Sequence, residues 1–134
     1  MSKPTIVFDL DGTLADTSAD LIAAANVSLV RAGYSPQLDS IADAGTAFKG
    51  GRAMLRLAYS RLGVAETEVD FELHYQSLLV AYGNAIDNET RLYPGAIEAV
   101  REMRTSGWLT AICTNKPEGL AEELLRRLGV RDHF

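Results

Sequence analysis

Apolar residues along this chain form two kinds of run, short continuous runs and longer periodic ones. The continuous runs are TIVFDL and WLTAIC, at residues 5–10 and 108–113. Runs of this length, bounded by turn residues, predict short β-strands that are buried on both faces. Periodic runs occupy the sequence between and after them, as where Leu21, Ala25 and Leu29 share one helical face. The pattern therefore predicts a strand, several helices, a second strand and further helix.

Capping residues predict where these helices begin and end. Thr17 with Asp20, and Thr67 with Asp70, have the spacing of a capping box at a helix start. Glycines that favour helix ends follow three of the apolar runs, at Gly33, Gly63 and Gly129.

The alternation of strands and helices predicts an α/β fold with a parallel, Rossmann-like sheet. Residues 17–92 are too many for one crossover and have helical spacing, so we expect a helical domain inserted between the strands. The α/β core then consists of residues 1–16 and 93–134, about 58 residues, a marginal size for a domain. Two strands with unpaired edges favour pairing with another chain, and a homodimer is one form that such pairing can take.

Composition narrows the function classes. Hydrophobic residues make up 47% and charged residues 23% of the 134 positions, which is typical of a globular protein. The net charge of −5, without a basic block, makes nucleic acid an unexpected partner. There is no apolar run of membrane-spanning length and no signal-peptide pattern, so we expect a cytoplasmic protein without a membrane partner. The single cysteine, Cys113, agrees with a reducing compartment and is expected in the core.

Asp9 falls at the carboxyl end of the first predicted strand, Asp11 follows that strand, and Thr114 follows the second. Ligands of parallel sheets bind at the carboxyl ends of the strands, so these residues are expected on one rim. Two neighbouring carboxylates do not readily both carry charge in a dry site unless a cation lies between them. An ionised carboxylate and a protonated one are what phosphoryl transfer through a covalent intermediate requires, with Mg²⁺ to offset the repulsion. The alternative is that Asp11, Gly12 and Thr13 only form a turn.

Three segments of the chain resemble motifs of the haloacid dehalogenase superfamily, and of its phosphoglycolate-phosphatase-like hydrolases in particular. They are FDLDGTLADT after the first strand, LYPGA at a helix start and TNKP after the second strand. The resemblance implies a haloacid dehalogenase-like core with the helical insertion as its cap domain. It also implies a magnesium-dependent phosphatase that hydrolyses a small phosphorylated metabolite, with 2-phosphoglycolate favoured.

The same resemblance implies residue roles. Asp9 would be the nucleophile that forms an aspartyl-phosphate, and Asp11 the acid that protonates the leaving group and then activates water. The Asp9 side chain and the Asp11 backbone carbonyl would hold Mg²⁺. The implied phosphate-binding residues are Gly12, Thr13, Thr114, Asn115 and Lys116. Helix capping by Thr114 or Asn115, and a simple surface lysine at Lys116, are the structural alternatives.

The inserted segment offers one candidate region for substrate selection. In GTAFKGGRAM, Lys49 and Arg52 flank two glycines and are candidates to approach an anionic group, although a glycine turn before a helix explains the segment equally well. His74, Tyr75 and Tyr82 lie in an apolar helix, and we expect them to serve packing.

The sequence departs from the family pattern after GVRDHF, because neither the lysine nor the acidic pair that related hydrolases carry further on is present. We therefore expect the 134 residues to be a fragment of a longer phosphatase, with weak Mg²⁺ affinity and little turnover by themselves. Two alternatives stay open at this point. One is a phosphomutase of the same superfamily, and the other is a non-catalytic fragment that acts through binding or chain pairing.

Overall fold

A computed structural model describes residues 2–134. The chain forms two compact units, one made of the residues up to Asp16 together with Thr90–Phe134, and the other of Thr17–Glu89. The second boundary lies a few residues before the expected one at position 92. Among the residues described, none lies in a helix that is both long and apolar enough to cross a membrane.

The first unit is built on a parallel pair of strands. Strand β1 spans Thr5–Phe8 and β4 spans Leu109–Ile112, with Thr5 opposite Leu109 and Phe8 opposite Ile112. Strands β2 (Ala15–Asp16) and β3 (Arg91–Leu92) form a short antiparallel ribbon in the same unit. The α/β class with a parallel sheet is thus confirmed.

The expectation that both strands are buried on both faces is wrong for this part of the chain. Val7 on β1 is 57% exposed and Leu109 on β4 is 49% exposed. The reason is that the described sheet has only two strands, so a single layer of neighbouring elements covers it incompletely. Cys113, expected in the core, is exposed for the same reason.

Two helices complete the first unit. Helix α5 (Ala96–Thr105) packs on β4, and α6 (Glu118–Arg127) is followed by a 3₁₀ turn at Arg131–His133. Val100 and Leu124, both fully buried, form the centre of its core. Gly95 of the LYPGA segment has φ of +82° at the start of α5, a backbone conformation that other residues rarely adopt.

The second unit is helical, as expected. Its helices are α1 (Ser18–Arg31), α2 (Ala44–Ala47), α3 (Gly51–Leu62) and α4 (Phe71–Asn84), with a 3₁₀ turn at Glu66–Glu68. Helix α1 packs mainly on α4 and also contacts α2 and α3. The buried side chains that these helices share include Leu29, Met54, Leu55, Tyr59 and Leu78.

Both predicted capping boxes are wrong in detail. Thr67 lies in the 3₁₀ turn, and Asp70 is the residue whose side chain caps α4 by accepting a hydrogen bond from the Leu73 N–H at 3.1 Å. Thr17 precedes α1 without a side-chain cap bond. The Asp20 carboxylate accepts the N–H of Glu89 at 2.9 Å and 3.1 Å, a contact that is distant in sequence. A tertiary hydrogen bond is therefore present at the start of α1, whereas α4 has a local cap at Asp70.

Candidate functional site

The loop after β1 is a tight turn that carries both candidate acids. The carbonyl of Leu10 accepts the N–H groups of Thr13, Leu14 and Ala15 at 3.0 to 3.3 Å. Gly12 has φ of +78°, which explains a glycine at this position. The turn interpretation and the catalytic interpretation of this segment are therefore compatible, because the turn is what presents Asp9 and Asp11 beyond the strand.

The parallel register brings the second candidate loop to the same edge of the sheet. Phe8 and Ile112 are partners, and the Cys113 N–H donates to the Phe8 carbonyl at 2.9 Å. Asp9 directly follows Phe8, and Thr114 is the second residue after Ile112. The shared rim that the strand pattern predicted is present in the first unit.

Lys116 contacts Asp11, a pairing that no local feature of the sequence indicates. Its Nζ lies 3.2 Å from Asp11 Oδ1, and the two side chains are only 4% and 13% exposed. Burial lowers the pKa of the Lys116 ammonium, and the neighbouring Asp11 opposes this shift. The simple surface lysine considered from the sequence is therefore wrong for Lys116.

The backbone around Lys116 is also fixed. Its N–H donates to Thr114 Oγ1 at 3.1 Å, so the threonine hydroxyl stabilises the turn between β4 and α6. Helix α6 begins after Pro117 without a side-chain cap bond, so capping of α6 by Thr114 or Asn115 is not what the structure shows. A hydroxyl that accepts one hydrogen bond can still donate another, for example to a phosphoryl oxygen.

The remaining loop residues differ in what they can offer an anion. Asp9 is exposed, and its Oδ1 accepts the Leu10 N–H at 2.7 Å, which orients the carboxylate. The N–H groups of Gly12 and Thr13 are engaged within the turn, with Ala15 and Leu10 carbonyls respectively, so these amides are not directed at a ligand. The Thr13 hydroxyl and the Asn115 amide lie on exposed residues.

A pocket of about 380 Å³ opens beside the second loop in the first unit. Cys113, Thr114, Lys116 and Glu118 are among the residues that line it. Asp9 is not among the lining residues, so this pocket lies next to the candidate nucleophile rather than around it.

Within residues 2–134, no group of three or more histidine, cysteine or acidic side chains is placed to hold a metal ion. The expected Mg²⁺ ligands are one carboxylate, Asp9, and one backbone carbonyl, that of Asp11. Two protein oxygens suit Mg²⁺, which usually retains several waters and takes further oxygens from phosphate groups. The donor set is therefore compatible with Mg²⁺, although it is not an all-protein cage.

In the second unit, the two glycines of the Lys49 and Arg52 segment have structural roles. Gly50 has φ of +105°. A Cβ atom on Gly51 would lie only 3.1 Å from Tyr75 Cε2 and 3.2 Å from Leu78 Cδ2. Backbone conformation at Gly50 and close packing at Gly51 therefore explain the two glycines, as the glycine-turn alternative holds, and no ligand is needed to explain them.

The two basic residues of this segment differ in their surroundings. The Arg52 guanidinium donates to both carboxylate oxygens of Glu72, at 2.7 and 3.0 Å, and lies 4.1 Å from the centre of the Tyr75 ring. The positive charge of Arg52 is thus already paired with the Glu72 carboxylate. Lys49 is exposed and remains the stronger of the two candidates for contact with a substrate.

His74 packs against Tyr59 and Tyr82 is buried, which agrees with the packing role expected for His74 and Tyr82 from the sequence. His74 Nδ1 is hydrogen-bonded to the hydroxyl of Tyr59, and the His74 carbonyl accepts the Ser28 hydroxyl at 2.8 Å. Burial raises the pKa of Tyr59 to about 12, so this phenol stays neutral at physiological pH. Tyr82 is 1% exposed.

Known proteins with similar sequences support the motif assignment. The chain is 40% identical over 143 aligned residues to a phosphoglycolate phosphatase of Mesorhizobium japonicum, with 100% of this chain and 59% of that protein covered. It is 36% identical over 133 residues to a phosphoglycolate phosphatase of Agrobacterium fabrum, with 98% and 56% covered. The chain therefore spans less than two thirds of the length of these relatives.

A solved structure leads to the same family. The crystal structure of a predicted phosphoglycolate phosphatase from Haemophilus somnus matches with a TM-score of 0.79 at 27% identity, covering 98% of this chain and 60% of that one. The family described as haloacid dehalogenase-like hydrolase matches residues 3–134. Since this match includes nearly the whole chain, the protein belongs to the haloacid dehalogenase-like hydrolases.

Proposed function

We propose that this chain carries the nucleophile and the acid–base residue of a phosphatase that hydrolyses a small phosphate monoester. The observation that supports the proposal most directly is the parallel register of β1 and β4, because it brings the Asp9 loop and the Thr114 loop to one rim. The preferred substrate is 2-phosphoglycolate, since the two relatives described above, from Mesorhizobium japonicum and Agrobacterium fabrum, are phosphoglycolate phosphatases.

Asp9 is the residue we propose as nucleophile, because its carboxylate is exposed at the rim and oriented by the Leu10 N–H. An Asp9 oxygen forms a bond to phosphorus while the bond from phosphorus to the ester oxygen breaks and leaves its electron pair on that oxygen. Asp11 donates a proton to the departing oxygen. In the second step Asp11 takes a proton from water, the water oxygen attacks phosphorus, and the Asp9 carboxylate is released with inorganic phosphate.

Thr114, Asn115 and the Thr13 hydroxyl are the groups that we propose to hydrogen-bond the phosphoryl oxygens. Asp9 and the Asp11 carbonyl would hold Mg²⁺, which when bound offsets the repulsion between a carboxylate and a phosphate. Lys49, which is exposed and carries a positive charge, stays a candidate for contact with an anionic group.

The experiment that tests this proposal is detection of the phosphoenzyme. The 134-residue chain is incubated with Mg²⁺ and 2-phosphoglycolate, quenched in acid and analysed by mass spectrometry for covalent phosphate. Asp9→Asn is expected to abolish the adduct, because an amide is a poor nucleophile, while Asp132→Asn, at an exposed position after α6, is expected to retain it. Acid trapping registers a single turnover, so slow turnover does not hide the intermediate.

Covalent phosphate in the Asp9→Asn variant would show that the nucleophile assignment is wrong. Analysis of the product separates a phosphatase, which releases inorganic phosphate, from a mutase, which returns an isomerised phosphate ester. EDTA is expected to suppress the adduct if Mg²⁺ is required.

A further inference from the structure

The ammonium group of Lys116 joins the two loops of the candidate site. Asp11 lies in the turn after β1, and Lys116 lies in the turn after β4, yet Nζ and Oδ1 are 3.2 Å apart. Their side chains are 4% and 13% exposed, so solvent screens the pair far less than it screens a surface ion pair.

Both partners have little freedom to separate. The Lys116 backbone is held by its hydrogen bond to Thr114 Oγ1, and the proline that follows restricts the chain. The Asp11 backbone is held in the turn closed by the Leu10 carbonyl. An ammonium group that is 96% buried is costly to leave without a counter-charge, which favours retention of the contact with Asp11.

We infer that Lys116 is a positioning residue rather than a ligand of the phosphoryl group. Its ammonium group holds the acid–base carboxylate of Asp11 in place across the two loops. The inference rests on the proposed phosphatase function for its kinetic consequence, but the contact itself is independent of that function. It replaces the phosphate-binding role that the family resemblance implied for Lys116.

The two roles predict different dependence on the leaving group. Proton donation by Asp11 matters for a poor leaving group such as the alkoxide of 2-phosphoglycolate, and matters little for p-nitrophenolate, which departs without a proton. A residue that acts through Asp11 therefore affects the first substrate selectively. A residue that binds the phosphoryl group affects both substrates, and also weakens the binding of inorganic phosphate.

The kinetic test compares Lys116→Met, Asp11→Asn and the double variant, with Lys3→Met as the matched control at an exposed lysine. The rate of Asp9 phosphorylation by 2-phosphoglycolate is expected to fall about 100-fold in Lys116→Met, since misplacement of a catalytic group has costs of that order. With p-nitrophenyl phosphate the rate is expected to stay within about threefold, because Asp11 is then not needed as an acid. The double variant is expected to be within about twofold of Asp11→Asn, because residues that act as a unit are not additive.

A second readout does not depend on turnover. The ¹³C signal of the Asp11 carboxyl, identified by its absence in Asp11→Asn, is expected to move in Lys116→Met and to stay in place in Lys3→Met. Lys116→Gln replaces Lys116→Met if that variant does not fold. The inhibition constant or, without turnover, the dissociation constant of inorganic phosphate is expected to change by less than about threefold, because the phosphoryl contacts are intact.

Each contrary result has a distinct meaning. An unmoved Asp11 signal, or equal rate losses with both esters together with weaker binding of inorganic phosphate, would overturn the positioning role. Absence of phosphorylation by either ester in the unmodified chain would count against the proposed function instead, and the carboxyl signal would still decide whether Lys116 holds Asp11.

Discussion

Replacement of Leu78 by alanine should destabilise the helical unit strongly, whereas the same replacement at Leu73 should not. Both leucines lie in α4, but Leu78 is 1% exposed and Leu73 is 62% exposed. Leu→Ala removes three carbons, so the transfer free energy at a buried site is about 2.4 kcal/mol, and the cavity raises the total to about 3–5 kcal/mol. At Leu73 the expected change is within about 0.5 kcal/mol. Helix propensity favours alanine equally at both positions, so it does not explain a difference between them.

The contact between Leu78 and Gly51 makes this test sharper. Gly51→Ala places a methyl group close to Leu78 and Tyr75, and overpacking of about 1–3 kcal/mol is expected to exceed the gain of up to about 1 kcal/mol in helix propensity, for a net loss of about 0–2 kcal/mol. In the Leu78→Ala background the leucine atoms are gone, so the cost of Gly51→Ala should be smaller. The double variant should accordingly be more stable than the sum of the single effects predicts.

Urea unfolding followed by far-ultraviolet circular dichroism measures these free energies, with an unchanged m-value as a check that compactness is unaltered. If the two units unfold in separate transitions, native-state hydrogen exchange of the α4 amides assigns the loss to the helical unit. Equal effects of Leu78→Ala and Leu73→Ala would contradict the burial that this reasoning uses. Strict additivity with Gly51→Ala would contradict the close contact between α3 and α4.

Three further predictions concern helix ends and charge in the helical unit. Asp70→Ala should lower the free energy of unfolding by about 1 kcal/mol through loss of the α4 cap, while Thr67→Ala should change it by less than about 0.5 kcal/mol. A larger loss for Thr67→Ala than for Asp70→Ala would instead support the capping box that the sequence predicted. Gly63→Ala should cost about 1 kcal/mol, because Gly63 ends α3 with φ of +69°, and no loss would contradict that conformation. The Arg61 guanidinium lowers the pKa of Asp43 from 3.8 to about 2, so its contribution to stability is present above pH 4 and is lost as the pH falls towards 2. Acid unfolding of Asp43→Asn should lack this component, and an identical acid profile would refute the pairing.

Several features of the fold followed from the sequence because they depend on short-range patterns. The apolar run before Asp9 formed a strand, and Gly63 ended a helix where a residue with positive φ is needed. The parallel pairing of the two strands followed from their alternation with helices. These properties depend on backbone geometry and local burial, which neighbouring residues largely set.

The local sequence pattern did not identify the partners of some polar side chains, because long-range contacts determine them. Asp20 has the spacing of a capping-box residue, but its carboxylate bonds the Glu89 N–H, far along the chain. Arg52 stands in a segment suited to an anion, but Glu72 and Tyr75 engage it. A side chain with several available partners takes the one that packing brings near, and spacing along the sequence does not identify that partner.

In the candidate site, too, some features follow from the local sequence and others only from long-range contacts. Sequence alone determined that Asp9, Asp11 and Thr114 follow strands and that their motif is that of a haloacid dehalogenase-like hydrolase. Only the tertiary structure decided that Lys116 is buried against Asp11 rather than directed to solvent. The carboxyl ends of parallel strands meet in space, although the loops that follow them are far apart in sequence. A charge pair between these loops therefore exists only once the strands have paired.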